Sequence, residues 1–176
     1  MRFAFRPMTE EDARAMAVWR YPDPHGFYDL DADDLRETLA ELPAYHAATD
    51  ERGELVGFFS CGPGAQVPGG HQAGLYPPDA LDIGLGLRPD LTGRGLGAGF
   101  VAAGLAHLRA TTNPPPTRFR LSVAAFNTRA IRAYERAGFR AGVRFPSPVR
   151  GVDTDFLLMT ADGPIDALDE PPRRLE

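Results

Sequence analysis

The sequence predicts a single α/β-type domain, and three observations carry that prediction. Strand-like and helix-like stretches alternate along the chain. A glycine-dense turn joins a strand to a helix near its middle. No repeat and no linker divides the 176 residues, a length that suits one domain with a sizeable core.

The elements follow in order. Phe3 and Phe5 alternate with Ala4 and Arg6, which predicts a short first strand ending near Pro7. Thr9 is placed to cap a helix, with Asp12 three residues on completing a capping box. Ala13, Met16, Ala17 and Arg20 continue at helical spacing. The aromatic and proline-bearing passage from Trp19 to Tyr28 cannot be regular helix. Asp31 and Asp33 supply caps for a second helix with Leu35, Leu39 and Leu42 on one face, ended by Pro43. Tyr45 to Thr49 and Leu55 to Cys61 form a hairpin about the turn Asp50 to Gly53. Gly62 to Pro78 reads as a loop. Asp82 to Leu87 is then a strand, Gly97 to Ala110 a helix, and Asn113 to Pro116 a break. Phe119 to Ala125 is a strand, Thr128 to Ala137 a helix closed by Gly138, and Val152 to Met159 the last strand. Residues 1–162 are read as the domain and 163–176 as a peripheral or mobile tail.

Composition removes several function classes. Cys61 is the only cysteine, which excludes an internal disulfide and a thiolate metal cluster. His25, His46, His71 and His107 are scattered, so no metal is expected. A net charge of −5 argues against nucleic acid as partner and leans toward a cationic acceptor. No apolar run reaches the roughly 18 residues of a membrane span, and the first residues lack a signal peptide's apolar core. A cytoplasmic protein with no membrane association is the expectation.

The passage from Leu87 to Phe100 carries the most chemistry. A strand runs out at Pro89, and Gly93, Gly95, Gly97 and Gly99 crowd the turn and the start of the next helix. Glycines allow close backbone approach, and first-turn amides are unpaired donors with partial positive charge. Together they suit a phosphate. A glycine-dense turn that merely packs a helix onto a sheet has the same composition, and both explanations stay open on this passage alone. Gly97-Ala98-Gly99 lacks the Lys-Ser/Thr of a P-loop. The strand from Phe119 to Ala125 lacks the acidic residue of a dinucleotide fingerprint.

A second motif narrows the choice. Asn127, Ala130, Tyr134, Gly138 and Phe139 match, at every spacing, the pattern Asn-x-x-Ala-x-x-x-Tyr-x-x-x-Gly-Phe. With the glycine turn before it, the chain resembles the GNAT superfamily of acyl-CoA-dependent N-acetyltransferases. The turn departs from the family's Arg/Gln-x-x-Gly-x-Gly/Ala in one place: Thr92 stands where Arg or Gln is usual, and Arg94 lies two residues later.

The resemblance implies a mixed, twisted sheet whose strands Asp82–Leu87 and Phe119–Ala125 splay apart. It implies acetyl-CoA as co-substrate, with pantetheine along Leu85, Gly86 and Leu87. The phosphates would meet Thr92, Gly93, Arg94, Gly95, Leu96, Gly97 and Ala98, and Asn127 would bond the pantetheine arm or cap its own helix. Gly84 and Gly86 are costly in a strand unless something approaches closely. Tyr134 would protonate the departing sulfur, since a phenol titrates near about 10. Some relatives place a Glu base five residues before the motif's Asn, where this chain has Ser122. Asp82 is the substitute, as base or as anchor for a cationic amine, with His25 as a further candidate. Trp19, Tyr21, Phe27 and Tyr28 would line the acceptor pocket or form a minicore under a loop. The implied reaction is direct attack of a small amine or a peptide N-terminus on acetyl-CoA. A CoA-binding module without turnover is the alternative, and a homodimer stays open.

Overall fold

The computed structural model describes residues 1–163. All but the first residue of the expected tail, 163–176, lies outside them. Seven strands form one sheet: β1 (Ala4–Pro7), β2 (Tyr45–Thr49), β3 (Leu55–Cys61), β4 (Leu81–Leu87), β5 (Arg118–Ala124), β6 (Arg140–Val149) and β7 (Val152–Asp162), in the order β1-β2-β3-β4-β5-β7-β6. The β4–β5 pair is parallel and every other pair is antiparallel. The helices are α1 (Glu10–Ala17), α2 (Ala32–Ala40), α3 (Pro68–Gln72), α4 (Gly97–Thr111) and α5 (Thr128–Arg136). No described helix is long and apolar enough to cross a membrane.

Local chemistry sets most of these boundaries. Thr9 and Asp12 form the expected capping box of α1, and Asp31 with Asp34 forms another for α2. Arg6 donates to Asp12 at 2.9 Å and holds its carboxyl at about 2, tying β1 to α1. The hairpin β2–β3 turns through Asp50, whose carboxylate accepts from the amides of Arg52 and Glu54.

Period-two alternation in the central strands divides the helices between two faces. Ala47 and Phe58 pack with Ala13 and Met16 of α1 and Leu35 and Leu39 of α2. Their chain neighbours Ala48 and Phe59 pack on the other face with Phe100, Val101, Leu105 and Leu108 of α4. Tyr134, Ala137 and Phe139 join that second core, so α5 lies beside α4.

Two elements depart from the sequence expectation. The stretch read as a loop, Gly62 to Pro78, contains α3, whose Gly69 amide donates to the buried Ser147 hydroxyl of β6 at 2.9 Å. Strand β6 was not expected, because Pro146 and Pro148 interrupt it. It lies at the sheet edge, where a missing N–H costs no ladder bond, and its buried Phe145 and Ser147 alternate with exposed neighbours.

Candidate active site

The site begins where the sheet opens. β4 and β5 pair only at Leu81↔Phe119 and Asp82↔Arg120. Beyond that, β4 keeps β3 as partner to Leu87, and β5 keeps β7 to Ala124. A wedge therefore parts residues 83–87 from residues 121–124, the splay that the resemblance implied. The Leu87 carbonyl accepts from the Tyr21 hydroxyl at 3.0 Å, while the Arg88 amide donates to Val56 of β3 at 2.8 Å. Backbone groups alternate sides along a strand, so the amide and carbonyl of Leu85 face the wedge as those of Leu87 do.

Asp82, expected as base or amine anchor, does not line the cleft that opens from this wedge. It is 5% exposed and fastens the apex: Arg120, 3% exposed, donates to its two oxygens at 2.6 and 2.9 Å. Gln66 donates to it as well, at 2.6 Å. A carboxylate with its lone pairs so engaged has a structural task. The explanation offered for Gly84 and Gly86 also changes. A Cβ on Gly84 would lie 2.5 Å from the Ser60 hydroxyl, and one on Gly86 2.4 Å from the Phe58 ring. Side chains of β3 fill that space, and no ligand is needed to account for these glycines.

The wedge leads into a cleft of about 840 Å³. Leu85, Gly86 and Leu87 line it, as do Thr92, Gly93, Gly95, Gly97 and Ala98 of the glycine turn. Gly93 and Gly95 have φ of 75° and 78°, which side chains tolerate poorly. Leu96, the residue preceding α4, offers no side-chain cap and packs instead against the core, while Arg94 is exposed; neither lines the cleft. The amides of residues 93–99 donate no hydrogen bond among the described residues. A row of unspent donors at the start of a fifteen-residue helix is a fitting cradle for phosphate oxygens.

Tyr134 comes from α5 and stands in the same cleft, with only 9% of its surface exposed. Burial pushes its phenol above the ordinary range, with the neighbouring Tyr28 and Tyr21 adding to the shift. Among the described residues its hydroxyl neither makes a hydrogen bond nor is sealed off without one, so it faces the cleft with its proton available. Asn127 caps α5 by accepting from the Ala130 amide at 3.1 Å and donates to the Tyr28 hydroxyl at 3.2 Å. Cys61 does not line the cleft, and burial lifts its thiol to about 11. No group of three or more His, Cys, Asp or Glu able to hold a metal occurs among the described residues.

The other end of the cleft gathers the aromatic residues singled out in the sequence. Trp19, Tyr21, Phe27 and Tyr28 all line it; Phe27 meets Tyr28 edge-on at 4.9 Å, and Trp19 leans on Phe58. His25 lies among them with Nδ1 buried and without a partner among the described residues, and burial, then Arg129, lower its pKa. Sequence reasoning missed Asp29 and Asp34 on this wall, and also Arg150. From the β6–β7 turn, Arg150 reaches back to the Asp29 carbonyl at 2.5 Å and the Asp34 carboxylate at 2.9 Å. Tyr76 was missed too: its hydroxyl lies 2.9 Å from that of Ser122, on the cleft wall, and accepts from the Val67 amide. The return of the last hairpin brings Arg150 to Asp29 and Asp34, and no local pattern announces it.

Comparisons with known proteins agree with this architecture. Mycothiol acetyltransferase from Mycobacterium sp. (strain JLS) is 33% identical over 124 residues, covering 68% of this chain and 37% of that protein. The one from Geodermatophilus obscurus is 34% identical over 148 residues, covering 77% and 42%. The chain thus spans about two-fifths of the length of these curated relatives. Among solved structures, aminoglycoside acetyltransferase AAC(6')-Ib with ribostamycin and coenzyme A superposes with a TM-score of 0.70 at 23% identity, over 92% of this chain and 94% of that one. Spermidine N-acetyltransferase from Vibrio cholerae with CoA and spermine gives 0.69 at 17% identity, over 92% and 95%. The family model for the acetyltransferase (GNAT) domain matches residues 2–140. Matched over that span, the chain belongs to the GNAT acetyltransferase family.

Proposed function

We propose that this protein transfers the acetyl group of acetyl-CoA to the nitrogen of a small primary amine. One observation carries the proposal: a single cleft joins the unspent amides of Gly93, Gly95, Gly97 and Ala98, the open edge of β4 and the Tyr134 hydroxyl to an aromatic chamber bearing Asp29 and Asp34. Acetyl-CoA would supply an activated acyl thioester. The amides of Gly93, Gly95, Gly97 and Ala98 would hold its phosphates, and the backbone of Leu85 would pair with pantetheine. At Leu87 the carbonyl already serves Tyr21, and the amide remains for that arm. Asn127 has one amide proton left for the arm once Tyr28 is bonded.

The residues then divide the chemistry. A β4 amide facing the wedge is a preorganised donor for the carbonyl oxygen as charge builds on it. Tyr134, kept protonated by burial, gives its proton to the leaving sulfur. With Asp82 withdrawn into the apex pair, His25 is the neutral base remaining on the wall, held uncharged by its surroundings. Trp19, Tyr21, Phe27 and Tyr28 would pack the acceptor's body, and Asp29 and Asp34 would hold a cationic group on it. Arg150, drawn over these acids, narrows that end and favours a small acceptor above a peptide. The aminoglycoside and spermidine enzymes of like fold act on small amines, which supports the same choice. The compartment proposed is the cytoplasm, on the supply of acetyl-CoA there.

The test is thiol release from acetyl-CoA across a panel of amines, with Tyr134→Phe beside the wild type. The proposal expects release that depends on an amine. Tyr134→Phe should lose about 10²-fold or more in turnover with little change in CoA affinity. Tight CoA binding with no turnover on any amine would instead favour a CoA-binding module.

A further inference from the structure

We propose that Arg129 supplies the cation that the glycine turn itself lacks, by pairing with the diphosphate of CoA; this rests on the acetyl-CoA reading above. The turn is short of full charge. Thr92 stands where the family's Arg or Gln would be, and its hydroxyl is spent on the Pro89 carbonyl at 2.7 Å. Arg94 is exposed and off the cleft wall. What remains is a row of amides at a helix start, worth roughly half an elementary charge. A diphosphate brings more negative charge than that can balance.

Arg129 is the second residue of α5 and lines the cleft. Its Nη1 lies 3.7 Å from the point where a side chain on Gly93 would begin, so the guanidinium stands directly over the turn. Gly93 leaves that space open. Arg88, Arg118, Arg120 and Arg150 are all committed to carboxylates, whereas Arg129 and Arg136, both on the cleft wall, form no ion pair or hydrogen bond among the described residues; of these two, only Arg129 comes within 4 Å of the side-chain position at Gly93. Its charge reaches into the cleft far enough to lower the pKa of His25. A planar guanidinium facing backbone N–H groups across a gap makes a two-sided clamp for phosphate oxygens.

Calorimetric titration of CoA and of dephospho-CoA into the full chain tests this, for wild type, Arg129→Ala, Arg129→Lys and Arg94→Ala. The proposal expects Arg129→Ala to weaken both ligands alike, by about tenfold or more. Arg129→Lys should recover part of the loss, and Arg94→Ala should change either affinity by less than about threefold. Unchanged binding in Arg129→Ala, or a loss no larger than that of Arg94→Ala, would overturn it. So would a loss confined to CoA, which would assign the guanidinium to the 3′-phosphate instead. A wild-type protein that binds neither ligand would overturn the acetyl-CoA reading beneath, which separates the two failures.

Discussion

Replacing Asp82 by Asn separates a structural role for this residue from a catalytic one. The substitution keeps the side-chain shape and removes the charge opposite Arg120. That guanidinium, 3% exposed, would lose a charged partner at 2.6 and 2.9 Å. It would keep Asp79 at 3.2 Å and the Pro77 carbonyl at 3.0 Å. Removing one member of a buried ion pair costs about 3–5 kcal/mol. The surviving partners, and the oxygen that Asn retains, place this case near the lower end, at about 3 kcal/mol. In a domain of this size each kcal/mol is worth about 2–4 °C, so the midpoint of thermal unfolding should fall by roughly 6–12 °C. Scanning calorimetry measures that fall, and thiol release assayed well below the transition measures turnover. Turnover should stay within about threefold of wild type. A loss of about 10²-fold or more with an unchanged melting temperature would refute the structural role and return Asp82 to the chemistry.

Two further predictions rest on other parts of the fold. Ala98→Asp places a carboxylate in the first turn of α4, where the helix dipole favours it and the phosphate does not. Stability should hold or rise slightly while CoA affinity falls about tenfold or more by calorimetry; equal affinity would mean that the turn only packs the helix. His46 and His107 share a hydrogen bond at 3.0 Å between β2 and α4, beside the Phe5 ring, and burial lowers the pKa of each. Both are favoured uncharged in the fold, so their stabilisation is present above the ordinary histidine value near about 6.5 and is lost as pH falls through it toward the folded values. Melting temperature should fall as pH is lowered through about 6.5, and His107→Gln should flatten that slope; an unchanged slope would remove the pair from the pH dependence.

The parts of this fold that were legible in the sequence are those written in contiguous residues. Thr9 with Asp12 announces α1, Asp50 to Gly53 announces the hairpin, and Asn127 to Gly138 announces α5 with both its ends. Strand β6 was hidden because Pro146 and Pro148 argue against a strand until its edge position is known. Helix α3 was hidden because Gly69 and Gly70 are poor helix formers; contact with Ser147 sustains it. The pairing of Asp82 with Arg120 was hidden because the two are distant in sequence, and the register that brings them together across parallel strands leaves no local trace. Arg129 was passed over because an arginine in a first turn looks like any solvated charge until Gly93 is found beneath it.

Acetyl transfer itself tests the central claim most directly. Wild-type protein incubated with acetyl-CoA and an amine panel, followed by thiol release and by the mass of the amine product, should give both signals together on at least one amine. The product should carry its acetyl group on nitrogen. Thiol release that ignores the amine, or tight CoA binding with no acetylated product from any amine, would contradict the claim.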